Sequence, residues 1–276
     1  MLDAMKTARR VTFCAYFLKP GPVERSLEDA ARHGAEVHVR ADGDLYGDCK
    51  AKMPASRAAI RALQRLHADA AFVHTSDDDA PGLHMKAAVC DGVAFLDDCN
   101  WSRGGDTVIR DDKPSHVRAI CSAILERAAP PAGGLCLTKA SALDAERRML
   151  QHPRCRQVDV QTEDIGRGEV SKQLRELAAR HVRCRVLVSE RSFKSHRATH
   201  DAAVSLQKAG VDVRIAKASE KLAVAGERGW VGSANATTSN FNGADIDWSL
   251  TTNDARTVRA LKRRFDARWR DAAAVA

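Results

Sequence analysis

Aromatic residues are scarce in this chain: Phe, Trp and Tyr together make up 5% of its 276 residues, and Tyr occurs twice. So sparse a set does not interleave with a basic stripe, which argues against a groove that stacks successive bases of a single strand. Long apolar runs are also missing. No stretch approaches the ~20 residues that a membrane-crossing helix needs, and the opening MLDAMKTARR has no apolar core of a secretion signal. The expected location is cytoplasmic. The eight cysteines (14, 49, 90, 99, 121, 136, 155 and 184) form no CxxC pair and no zinc-like Cys/His spacing. They read as small apolar fillers of a reduced protein, with Cys14, Cys90 and Cys184 inside strand-like runs. No carboxylate or His cluster calls for a metal, and no cofactor is expected.

What is present suits a globular α/β protein. The length allows a full core, either as one large domain or as two halves. The net charge of +8 is uneven: residues 1–135 sum to −1 and residues 136–276 to +9. The second half is therefore the expected surface for a polyanion, nucleic acid or phospholipid headgroups, although charge alone also serves solubility.

The halves repeat one another. In each, strand, helix and strand alternate: VTFCAYF, PVERSLEDAARHG and AEVHVRA first, then QVDVQTE, EVSKQLRELAARH and CRVLVSE. Apolar spacing of i, i+3, i+4 and i+7 marks the helices and β-branched runs mark the strands. This order predicts a mostly parallel or mixed sheet flanked by helices in each half. The Pro/Gly-rich AAPPAGGL fits a linker. The expected domains are 1–127, a linker at 128–135, and 136–276, with the halves packed around one central cleft.

The repeat is gapless at one place. HMKAAVCDGVAFLDDCNWS (84–102) aligns with SEKLAVAGERGWVGSANAT (219–237) at a constant offset, which places Lys86 on Lys221, Asn100 on Asn235 and Phe95 on Trp230. His84 falls on Ser219, Asp91 on Gly226, and Asp97-Asp98 on Gly232-Ser233. In a strand, His84 and Lys86 share a face, and Asp91-Gly92 predicts a tight hairpin that brings Asn100 back toward them. Imidazole, ammonium and amide together suit a phosphoryl group: the first attacks phosphorus, the second offsets charge, the third donates to a non-bridging oxygen.

These residues resemble the phospholipase D superfamily, whose signature is His-x-Lys, Asp five residues on, and a Gly-Ser-x-Asn beyond. The first copy carries His84, Lys86, Asp91 and Asn100; the degenerate second keeps Lys221, Ser233 and Asn235. The resemblance implies a metal-independent phosphodiesterase, hydrolytic or transferring, that works through a phosphohistidine on His84. Lys86 and Lys221 would serve the phosphate with Asn100, Asn235 and Ser233, and Asp91 would support the hairpin. An acid downstream of the Asn would orient the imidazole; Asp106 is the candidate, with Asp245 its counterpart.

The second His, which in the family protonates the leaving oxygen, is missing. His196 and His200 of SFKSHRATHD are possible substitutes, or simply part of a polar loop and helix start. Glu220 would point away by strand alternation. A homodimer could pair two His84 sites, so monomer and homodimer both stay open. The alternative to an enzyme is a weak or inactive relative that binds phosphodiesters or acts as a scaffold, favoured by Asp97-Asp98 and the acidic SDDDA at 76–80. Among substrates, nucleic acid is slightly favoured over phospholipid. Trp101, Trp230 and Trp248 read as core or cleft-wall residues, and the C-terminal TVRALKRRFDARWRDA as an amphipathic helix that packs on its own sheet.

Overall fold

A computed structural model describes the chain except for residues 46, 75–80, 102–106, 152–154, 218, 239–243 and 276. Its contacts divide into two compact units: the described residues of 1–138 and 244–248 form the first, and those of 139–243 and 249–276 the second. No helix among the described residues is long and apolar enough to cross a membrane.

The first unit holds α1 (Leu2–Thr7), β1 (Arg10–Ala15), α2 (Pro22–Arg32), β2 (Glu36–Asp42), α3 (Met53–Arg65), β3 (Asp69–Val73), β4 (Ala87–Cys90), β5 (Val93–Asp97), β6 (Val108–Asp111), α4 (Pro114–Leu125) and β7 (Leu135–Thr138). One sheet runs β3-β2-β1-β4-β5-β6. The strands β1, β2 and β3 are parallel, as helical crossovers require, whereas β4, β5 and β6 follow antiparallel. The sheet is mixed because a hairpin, not a helix, joins β4 to β5. Asp91 and Gly92 both take left-handed φ (45° and 84°) at its tip, the geometry of a two-residue turn. Apolar faces of the helices close the core: Leu27 and Ala30 of α2 and Ile60 and Leu63 of α3 pack with Phe13 and Val39 of the strands.

The second unit holds α5 (Lys139–Leu150), β8 (Gln157–Thr162), α6 (Glu169–Ala179), β9 (Arg183–Ser189), α7 (Glu190–Ser195), α8 (Arg197–Lys208), β10 (Asp212–Ala216), β11 (Leu222–Ala225), β12 (Arg228–Gly232), β13 (Ile246–Thr252), α9 (Ala255–Asp271) and β14 (Ala273–Ala274). The first three residues of β13 count with the first unit. The order β10-β9-β8-β11-β12-β13 matches that of the first sheet strand for strand, with β14 added beside β10. The helix α9 buries Val258, Leu261, Phe265 and Trp269. Gly229 of β12 permits this approach, since a Cβ there would meet Leu261 Cδ1 at 2.8 Å.

All eight cysteines are free thiols. Burial pushes Cys14 and Cys184 up to about 12 and Cys90 up to about 11, so these sulfurs stay protonated and inert.

Candidate active site

The residues His84 to Lys86 lie just before β4, not inside it. They are diverted there by pairing with the start of β13. Leu83 bridges Ile246 in parallel, the amides of His84 and Met85 both donate to the Ile246 carbonyl (2.9 and 2.7 Å), and Ile246 N–H donates to Gly82 O. Asp42 accepts from the Leu83 amide at 3.1 Å. Backbone on both sides of His84 is thus fixed before its side chain is considered.

The same pairing sets the imidazole. Asp247, whose side chain is 1% exposed, places Oδ1 2.7 Å from His84 Nδ1. A carboxylate can only accept, so Nδ1 carries the proton and Nε2 of the neutral ring carries the lone pair. The His84 side chain is 22% exposed, so the ring is reachable. Tyr16, the residue after β1, lies edge-on to it with ring centroids 5.3 Å apart. Lys86 Nζ donates to the His84 carbonyl and sits 5.7 Å from the centre of the Tyr16 ring, whose negative face stabilises the charge.

Asn100 braces the loop that carries Tyr16. Its Oδ1 accepts from the amides of Tyr16 (3.0 Å) and Phe17 (3.5 Å), and its Nδ2 donates to Phe17 O at 2.9 Å. An amide nitrogen has two N–H groups, so one of the two is used on this brace. Asp91 ties the hairpin tip to β1 by accepting from the amides of Arg9 and Arg10, which holds its carboxyl below the usual range. The pair Asp97-Asp98 is fully buried and bonded to backbone: Asp97 Oδ2 accepts from Trp101 N at 2.6 Å and Asp98 Oδ1 from Thr107 N at 3.0 Å. The two carboxyls thereby shape the loop that follows β5. Asp106 and the SDDDA run lie outside the described residues. The carboxylate on His84 Nδ1 is Asp247, and Asp245 instead accepts from the Gly82 amide at 3.1 Å. Sequence reasoning missed Asp247, although it named the acid two residues before it.

In the second unit Lys221 is 2% exposed and repeats the bond of Lys86, donating to the carbonyl two residues before it, Ser219 O, at 2.8 Å. Its second partner differs. Glu163, the residue after β8, pairs with Lys221 Nζ at 3.1 Å, whereas the residue after β1 is Tyr16. Glu163 was not a sequence candidate, because only the sheet order places it beside Lys221. Ser233 is fully buried. Asn235 again braces the loop after the first strand, its Oδ1 accepting from Asp164 N and its Nδ2 donating to Asp164 Oδ2, both at 3.4 Å.

Asp164 also receives His196. Its Oδ1 lies 2.6 Å from His196 Nδ1 and accepts from Thr199 Oγ1 at 3.1 Å, so His196 joins Asn235 through one carboxylate. The His196 side chain is 54% exposed. His200 pairs instead with its neighbour Asp201 and packs on the Phe193 ring. Glu220 is bonded to Gln161 and Arg264, as strand alternation requires of a residue facing away from Lys221.

A pocket of about 370 Å³ opens beside Asn100, walled chiefly by Phe17, Lys19, Pro20, Pro22, Val23 and Trp101.

Residues 147–269 match the family described as "Cardiolipin synthase, PLD-like domain". That segment is the half with the degenerate motif. No curated protein matches the sequence. Among solved structures, 98% of the chain superposes on 44% of the polyphosphate kinase from Porphyromonas gingivalis, with TM-score 0.70 and 13% identity. The phosphatidylserine synthase of Haemophilus influenzae Rd KW20 matches 99% of the chain and 84% of its own, at TM-score 0.67 and 10% identity. The chain spans less than half the length of the polyphosphate kinase. Half of the chain also matches 88% of Nuc from Salmonella typhimurium, described as a phospholipase D family member, at TM-score 0.40 and 16% identity. At these identities the likenesses are of fold.

Proposed function

We propose that this chain, whose second half is a phospholipase D-like domain and whose first half carries the fuller His-x-Lys motif, cleaves or transfers phosphodiesters through His84. The observation that carries the reading is the 2.7 Å contact between His84 Nδ1 and the buried Asp247. It directs the lone pair of Nε2 outward and stabilises the cation that forms as the ring gives up electrons. Nε2 attacks phosphorus, the bond to the leaving oxygen breaks, and that oxygen takes a proton. Water or an alcohol then attacks the phosphohistidine, giving its proton to the group that protonated the leaving oxygen, and displaces the imidazole as the neutral ring.

Lys86 and Asn100 hold the phosphoryl oxygens in the first unit, and Lys221, Asn235 and Ser233 are the phosphate-binding residues proposed for the second. His196, held by Asp164, is the candidate acid of the second unit. Loss of a general acid typically costs ~10²–10⁴-fold in rate, so an imperfect substitute leaves a slow enzyme rather than none. A second reading, binding without turnover, is favoured by Ser219 in the place of a His and by the Glu163 carboxylate on Lys221, which lessens that lysine's pull on phosphate.

The test is turnover of a panel, short single-stranded DNA, RNA and phospholipid vesicles, by wild type and His84→Ala. Product that requires His84 supports the enzyme; binding with no His84-dependent product supports the second reading. Steep weakening with salt identifies a nucleic acid ligand, because phosphate contacts release counterions. Dependence on anionic lipid identifies a membrane substrate.

A further inference from the structure

We infer that the pocket beside Asn100 seats a nucleobase, so that the phosphodiester handled in the first unit is that of a nucleotide. The inference rests on the reading of His84 above for the phosphate and on the pocket for the base.

Aromatic side chains are few in this protein, and three of its four tryptophans are core: Trp230, Trp248 and Trp269 are 1%, 0% and 7% exposed. Trp101 is the exception, half-buried, and it walls the pocket. Its backbone takes φ 55°, a left-handed conformation that a bulky residue rarely adopts. Three contacts hold it there: its amide on Asp97 Oδ2 at 2.6 Å, its indole N–H on Cys14 O at 3.2 Å, and its ring against Phe13 at 5.5 Å between centroids. The indole is thereby fixed before any ligand arrives, which lowers the entropy lost on stacking.

The other walls agree with a flat ring. Phe17 and the pyrrolidine rings of Pro20 and Pro22 give apolar faces, Lys19 adds a positive charge at the loop, and Asn100 adds an amide. At about 370 Å³ the pocket lies near the lower end of small-molecule sites and admits one base with its sugar. Its place is also fixed relative to the imidazole. Phe17 follows Tyr16, whose ring lies 5.3 Å from that of His84, and Asn100 bonds the backbone of both residues. A base against Phe17 and Trp101 thus lies one residue along the chain from Tyr16 on one wall and from Asn100 on the other.

The buried positions of the other tryptophans make Trp101 the fluorophore that a bound base would quench. The experiment titrates AMP, CMP, a short oligonucleotide and ribose 5-phosphate into wild type, Phe17→Ala and Val23→Phe, the last of which fills the pocket. Far-UV circular dichroism checks that each variant is folded. Quenching that saturates with AMP or CMP, fails with ribose 5-phosphate, and weakens at least about tenfold in either folded variant is the expected result. A tighter response to the oligonucleotide than to AMP assigns the base to a strand rather than a free nucleotide. Absence of base-dependent quenching, or wild-type affinity in both folded variants, overturns the inference. His84-dependent turnover without quenching removes the base pocket and leaves the phosphodiesterase; quenching without turnover does the reverse.

Discussion

The buried Asp247 carboxylate, 2.7 Å from His84 Nδ1, is the charge that makes this imidazole more than a solvent-facing histidine. Asp247→Asn keeps the shape and removes the charge, so kcat/KM is expected to fall on the order of 10²–10⁴-fold with little change in urea midpoint. A larger loss from Asp106→Asn than from Asp247→Asn would transfer the orienting role to Asp106. A different carboxyl governs stability. Glu146 of α5 is enclosed, with no partner for Oε2 among the described residues, and burial pushes it up to about 8. In the unfolded chain it ionises near 4.5, so the folded state is at full advantage below that pH and loses it as the pH rises toward 8. Glu146→Gln is therefore expected to be more stable than wild type by roughly 4 kcal/mol at pH 8 and indistinguishable near pH 4, read from urea unfolding at each pH.

Elements place these residues by close approach and by register. At the start of α6, a Cβ on Gly168 would lie 2.6 Å from the Thr237 carbonyl oxygen, two residues beyond Asn235. Gly168→Ala must push that backbone away, and a loss of roughly 1–3 kcal/mol in urea unfolding is expected, with activity reduced in the folded fraction. The strands, the hairpin at Asp91-Gly92 and the pairing of Lys86 with Lys221 were legible in the sequence because each rests on local spacing. Asp247 was not, since two acids stand in DIDWS and only the pairing of Leu83 with Ile246 selects the second. Glu163 beside Lys221, Asp164 between Asn235 and His196, and Trp101 on a pocket wall likewise depend on neighbours far away in the chain. The mixed sheets agree with the sequence reading for a local reason: the motif itself is a hairpin, so β4 and β5 run antiparallel.

At the scale of the molecule, two sheets of matching strand order carry unequal chemistry. The first unit has the imidazole, its carboxylate and a lysine over an aromatic ring; the second has a lysine bound to a glutamate and a serine where the His would be. The positive charge lies mostly in the second half, and α9 adds exposed Arg256, Arg259, Arg263 and Arg270 to it. Such a difference predicts slow chemistry at the phosphodiester that depends on His84. The most direct measurement is intact mass of wild type and His84→Ala after incubation with short single-stranded DNA, RNA and phospholipid. A phosphoryl adduct, or product, formed by wild type and absent from His84→Ala is the predicted result. Neither adduct nor product from any of the three, with the ligands still bound, would contradict the account and leave a protein that holds phosphodiesters without cutting them.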